Sequence, residues 1–271
     1  MSVVDAHFHL FGPSPSADAM ARGVGHENSV EHLREWYQAH GVVHGVIMSN
    51  RSLRPEDHQY PADLFHYCIG LDRSYLSANG GEDVPALVEE NLKRPQCVGV
   101  KLYPGYNPTY VSDPMYQPIY ELAARYDKAV AVHMGMTAGS RAKLKYSHPL
   151  TLDEVAADHP RVRFVMCHFG SPFLADAAAV LAKNPNVYAD LSGLLEGVED
   201  LDAYFVEYHG FVDQLRAWMA YVRDDGRFLF GTDWPAVNIG NYIEFIQRLV
   251  PDRSWDKVFF HNANQVYGLG L

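Results

Sequence analysis

The alternation of two kinds of segment constrains this chain more than any other feature. Short, apolar, strand-like runs occur at Val3–His9, Val42–Ser49, Leu64–Leu71, Cys97–Tyr103, Ala129–Met134, Val162–His168, Asn186–Leu191 and Arg227–Gly231. Between them lie segments whose apolar residues recur with helical spacing, clearest at Ser29–His40, Val84–Lys93, Asp113–Asp127, Thr151–Asp158, Phe173–Lys183, Phe211–Asp224 and Asn241–Leu249. Two of these carry start signals: Ser29 ahead of Val30, and Thr151 with Glu154 three residues on. Strands joined through helices run parallel, and the helices cover the sheet. In 271 residues, eight such units fit one (β/α)8 TIM barrel better than two domains, so residues 1–271 are expected to form a single α/β domain. The competing architecture, an open doubly wound sheet, calls for a Gly-rich dinucleotide loop after the first strand. Gly12-Pro13-Ser14-Pro15 is not one.

Composition then narrows the partners. The formal charge of −11 argues against nucleic acid and anionic membranes. No apolar run approaches the roughly 18 residues that a membrane span needs. Cys68, Cys97 and Cys167 are far apart in apolar runs, which suggests reduced, buried thiols. With no basic, apolar leader at the N-terminus, the expected setting is cytoplasmic. A small molecule is the expected partner, and the sequence leaves a homo-oligomer open.

The first strand is unusual in its polar content. Strict alternation places Val3, Asp5, His7 and His9 on one face, and Val4, Ala6, Phe8 and Leu10 on the other. The second face reads as core. The first needs something to satisfy a carboxylate and two imidazoles, either a metal ion or hydrogen bonds. Other strands end in matching residues: Lys101 late in the fourth, His133 near the end of the fifth, His168 ending the sixth and Asp233 after the eighth. In a barrel these ends surround one mouth, where the active sites of the fold lie. His9, His133, His168 and Asp233 converging there make a cage for a divalent ion, with zinc suited and manganese, iron or cobalt also compatible. Each residue alone has a plainer explanation: a hydrogen-bonded core histidine, an Asx turn at Asp233, a structural ion pair between Lys101 and Asp5. Placement on five separate strand ends is what argues against coincidence.

Taken in order, Asp5-Ala-His-Phe-His9, Gly99-Val-Lys-Leu-Tyr-Pro104, His133, Met166-Cys-His-Phe-Gly170, Asn186-Val-Tyr-Ala-Asp-Leu-Ser192, Gly231-Thr-Asp-Trp-Pro235 and the closing His261-Asn-Ala-Asn-Gln-Val-Tyr-Gly-Leu269 resemble the amidohydrolase-related (amidohydrolase 2) family of the metal-dependent hydrolase superfamily. That family includes lactone hydrolases and non-oxidative decarboxylases such as aminocarboxymuconate-semialdehyde decarboxylase. The resemblance implies one divalent ion, most simply zinc, on His7, His9, His133 and Asp233. It implies catalytic roles for Asp233 and for His168, the latter beside the water rather than on the ion. In two-metal relatives the strand-four lysine carries a bridging carbamate; the Lys-Leu-Tyr-Pro context of Lys101 resembles the mononuclear branch, in which it does not.

The resulting expectation is hydrolysis of a lactone, amide or ester. The alternatives are decarboxylation of a small unsaturated or aromatic acid, and a catalytically silent ligand-binding barrel. Short loops and the lack of an arginine within a metal-strand motif favour hydrolysis. Lys101, Arg51, Arg141 and Tyr103 are the expected substrate contacts, with Lys143, Lys145 and Arg73 as further cations.

Overall fold

The computed structural model describes residues 1–12, 14–50, 52–72 and 83–271. Arg51 and Arg73, expected near the substrate, lie outside the described residues. Eight strands form one sheet in the order of the chain: β1 (Val3–Phe8), β2 (Val42–Met48), β3 (Phe65–Leu71), β4 (Cys97–Leu102), β5 (Ala129–Val132), β6 (Phe164–Met166), β7 (Val187–Asp190) and β8 (Phe228–Leu229). Every adjacent pair is parallel. Backbone hydrogen bonds close the seam between the β8 end and β1. The Ala6 N–H donates to the Phe230 carbonyl, those of Thr232 and Asp233 to the His7 carbonyl, and that of His9 to the Trp234 carbonyl. The fold is therefore the (β/α)8 barrel expected from the alternation.

Two apolar clusters divide the core. One lies between the sheet and the helices and includes Val3, Phe8, Leu33, Tyr37 and Phe65. The other fills the barrel and includes Val4, Ala6, Val46, Ala131 and Val165. Ala263, Val266 and Tyr267 of the C-terminal helix (Asn262–Tyr267) belong to the inner cluster together with Val4, Val98 and Ala129, which stand at strand beginnings, so this helix plugs the end opposite His9. Apolar burial on both faces follows from covering a parallel sheet with helices.

The expected two-face reading of the first strand is corrected. From Asp5 to Phe8, β1 advances three residues while its partner advances two, from Gly45 to Ile47. The extra residue is a β-bulge, and it shifts the phase of alternation. Asp5 turns toward the helix layer, where its carboxylate accepts hydrogen bonds from the Tyr37 hydroxyl at 3.0 Å and the Thr232 hydroxyl at 2.7 Å. Phe8 also faces that layer, while His7 and His9 turn into the mouth.

Of the two helix-start signals, one holds. The Ser29 hydroxyl accepts from the His32 N–H and caps the helix Val30–His40. Thr151 does not cap: the helix Leu150–Asp158 starts behind Pro149, and the Thr151 hydroxyl donates to the His148 carbonyl. The helices Pro15–Gly23 and Leu201–Glu207 were not anticipated. All three cysteines are free and buried. Among the described residues, no helix is long and apolar enough to cross a membrane.

Candidate metal centre

Three groups from the two sides of the barrel seam meet at the strand ends. His7 Nε2 lies 3.4 Å, and His9 Nε2 3.3 Å, from the same Asp233 oxygen, Oδ1. The proton positions on both rings follow from their other contacts. His7 Nδ1 is 2.8 Å from Asp190 Oδ2 and His9 Nδ1 is 2.9 Å from the Met48 carbonyl. Both partners are acceptors, so both Nδ1 atoms carry hydrogen. Both Nε2 lone pairs then point at a carboxylate oxygen. Three electron pairs converge where a cation would balance them, and imidazole nitrogen with carboxylate oxygen suits a divalent ion. The donor set therefore fits the expected ion.

Burial and the Lys101 ammonium lower the His7 pKa to about 4, so its ring is neutral. Burial alone would raise Asp233, but the imidazoles beside it, His168 first, hold it well below the usual carboxylate range. Asp233 has φ of 63°, a left-handed conformation tolerated by aspartate, which turns the chain sharply back toward β1.

His133 and His168 form the adjoining wall. His133 Nε2 donates to the Met136 carbonyl at 2.9 Å, and His168 Nδ1 to the Ser192 carbonyl at 3.1 Å. The other ring nitrogens, His133 Nδ1 and His168 Nε2, lie 3.1 Å apart, within hydrogen-bonding distance of each other. His133 stands beside the His7–His9–Asp233 group rather than inside it. His168 and Phe169 have φ of 60° and 45°, so the chain turns sharply after β6 and carries the His168 ring over the mouth.

Lys101 is buried at the floor, with Nζ 2.7 Å from Cys167 Sγ and 3.5 Å from His7 Nε2. The expected Lys101–Asp5 pair is thus corrected, because the bulge turns Asp5 to the other side of the sheet. In the sequence Asp190 and Ser192 stand only as parts of a motif, with no role attached. Asp190 accepts from His7, from the His168 backbone N–H at 2.9 Å and from the Ser192 hydroxyl. Burial would raise its pKa, yet His7, His168 and Lys101 hold it well below the ordinary value.

A cavity of about 310 Å³ opens over these groups, lined by His9, Phe11, Asn50, Asp72, Lys101, Tyr103, Tyr106, His133, His168 and Asp233. Lys101 and Tyr103 are where the sequence placed them. Arg141 is not: it is exposed on the loop after β5 and does not line the cavity. Lys145 of the same loop lies over the Tyr146 ring, 4.6 Å from its centre. This basic loop extends into solvent, which is why its charge says little about the cavity. Phe11, Asn50 and Asp72 carried no signal, since their places depend on how the loops fold over the mouth.

Comparison with known proteins places the chain among others. An uncharacterised TIM-barrel protein from Bordetella bronchiseptica is 20% identical, with a TM-score of 0.74 and 99% of each chain covered. A dihydroxybenzoic acid decarboxylase from Polaromonas sp. JS666, solved with bound manganese and the inhibitor 2-nitroresorcinol, is 13% identical, with a TM-score of 0.65 over 100% of this chain and 98% of that one. A probable 2-pyrone-4,6-dicarboxylic acid hydrolase from Acinetobacter baumannii, solved with citric acid, is 16% identical, with a TM-score of 0.61 over 99% of this chain and 100% of that one. At these identities the likeness is one of fold. No match was found among curated proteins. The family model described as amidohydrolase matches residues 4–269.

Proposed function

This chain belongs to the amidohydrolase family, and from that premise we propose that it is a metal-dependent hydrolase of a small lactone, amide or ester. The observation that supports the reading is the convergence of His7 Nε2 and His9 Nε2 on Asp233 Oδ1 at the floor of a cavity. His7, His9, His133 and Asp233 would hold one divalent ion, zinc in the simplest case; manganese is the ion printed for the Polaromonas decarboxylase. Such an ion supplies Lewis acidity, lowering the pKa of a water from 15.7 to about 7.

The chain's own groups do the rest. Asp233, kept ionised by the histidines around it, accepts the water proton and returns it to the leaving group. His168, anchored through Nδ1, lines the cavity and orients the attacking water. Lys101 remains an unmodified ammonium, consistent with its contact to Cys167 rather than to a second ion site. Phe11, Tyr103 and Tyr106 offer aromatic walls, and the cavity volume suits a small substrate.

A second reading, decarboxylation of a small unsaturated or aromatic acid, is favoured by one observation. Lys101 is a cation on the cavity lining, placed to meet a carboxylate. Turnover in ¹⁸O-water by metal-loaded protein, against a panel of lactones, amides, esters and aromatic acids, separates the two. Entry of one solvent oxygen into the product supports hydrolysis. Release of carbon dioxide without solvent oxygen overturns it. No turnover of any panel member, with the ion bound, supports a silent barrel.

A further inference from the structure

The segment at the end of β7 has no part in the chemistry above, yet it touches two of the groups that do. Asp190 is fully buried, and its two oxygens are divided between two jobs. Oδ2 takes the Nδ1 hydrogen of His7. Oδ1 takes the backbone N–H of His168, the backbone N–H of Ser192 at 3.2 Å and the Ser192 hydroxyl. The Ser192 hydroxyl oxygen lies in turn 3.0 Å from His168 Nδ1 and 3.1 Å from His7 Nδ1. One carboxylate therefore sets the proton position on a ring from β1 and anchors a left-handed turn after β6.

We infer that Asp190 is the positioning residue of this centre, fixing His7 as the Nδ1–H tautomer with Nε2 free for an ion and holding the His168 turn in register with it. The inference rests on the reading of His7 as an ion-holding residue. It follows from what Asp190, the nearest acceptor on His7 Nδ1, supplies. His9 is oriented by a backbone carbonyl and His133 by another, and neither of those can be removed by a side-chain change. His7 depends on a side chain. A carboxylate has only acceptors, so it serves both arms at once. The amide of Asp190→Asn presents one acceptor and one NH₂ group: with the NH₂ on the His168 arm a donor faces a donor, and with the NH₂ on His7 the ring must take the Nε2–H tautomer, which removes the lone pair an ion needs. Partners behind a metal-binding histidine are typically worth 10–100-fold in metal affinity.

The test has a direct and an indirect arm. Long-range ¹H–¹⁵N spectra of the metal-free protein, with His7 assigned by its replacement, should show the Nδ1–H tautomer; an Nε2–H tautomer would overturn the inference without any Asp190 variant having to fold. Zn²⁺ affinity, measured by chelator competition, should weaken about 10–100-fold in Asp190→Asn. A purely structural Asp190 would lower the melting temperature of the metal-free protein and leave Zn²⁺ affinity unchanged, and that result would also overturn the inference. If the parent protein binds no Zn²⁺, the site reading fails instead, and the tautomer measurement still decides the role of Asp190.

Discussion

Replacing Gly231 by alanine should disturb the centre without touching any of its donors. Gly231 follows β8, where the chain runs against β1 at the seam. A Cβ built there lies 2.8 Å from His7 Cβ, 3.0 Å from His7 N and 3.3 Å from Ser192 Cβ. Carbon atoms settle at about 3.5–4.0 Å, so the stem of His7 must retreat by roughly 0.7 Å. The atoms in the way are backbone and Cβ, which have no rotamer to change. Binding constellations are held to within about 0.5 Å, so the displacement exceeds the tolerance of the site. Overpacking of this kind costs about 1–3 kcal/mol. For a chain near this size each kcal/mol moves the melting temperature by about 2–4 °C. Gly231→Ala should therefore melt several degrees lower and bind Zn²⁺ at least about tenfold more weakly, the lower end of what a lost supporting contact costs. Gly210→Ala is the control: Gly210 is exposed in the helix His209–Val222 with nothing within 4 Å of the new Cβ, and it should be neutral or slightly stabilising. Calorimetry and chelator competition read both quantities. Unchanged affinity and melting temperature in Gly231→Ala would refute the claim that close packing across the seam holds His7.

Two further outcomes are expected. His26 Nε2 accepts the Ile239 N–H and its Nδ1 donates to His32 Nε2, and burial with His32 and His40 lowers its pKa from 6.5 to about 4. The unfolded chain takes up this proton first, so the contribution is complete above pH 6.5 and is lost as pH falls toward 4, by at most roughly 3 kcal/mol at 1.36 per unit; denaturant titrations should show a smaller loss of stability for His26→Gln than for the parent between pH 7 and 4, and parallel losses would show that His26 is not responsible. His168→Asn should keep its Zn²⁺ by elemental analysis and lose about 10²–10⁴-fold in turnover; loss of the ion would make His168 a ligand.

The barrel was legible because its signal is redundant. Each β/α unit repeats the same switch from apolar run to helical spacing, so an error at one helix start, as at Thr151, leaves the topology intact. The site was legible where a polar residue ends an apolar strand, as at His133, His168 and Asp233. It was not legible at Asp5, because a single inserted residue in β1 inverts the alternation and no residue type announces it. The partner of Lys101 was missed for the same reason. Strand ends were also read too long at β6 and β8. The turns after them, with His168 and Asp233 in left-handed conformations, consist of residues that look extended in sequence. Arg141 misled because charge on a loop shows polarity and not direction. Asp190 and Ser192 were visible as a motif, but their work depends on β7 lying beside both the His168 turn and His7, which only the closed barrel brings about.

The central claim is that His7, His9, His133 and Asp233 hold a single divalent ion. Anomalous diffraction at the zinc edge, from crystals of protein loaded with Zn²⁺, tests it most directly. The account predicts one peak at the mouth, among His7, His9, His133 and Asp233, with no extra trigonal density on Lys101 Nζ. No peak there, or a second peak bridged to the first through Lys101, would contradict it.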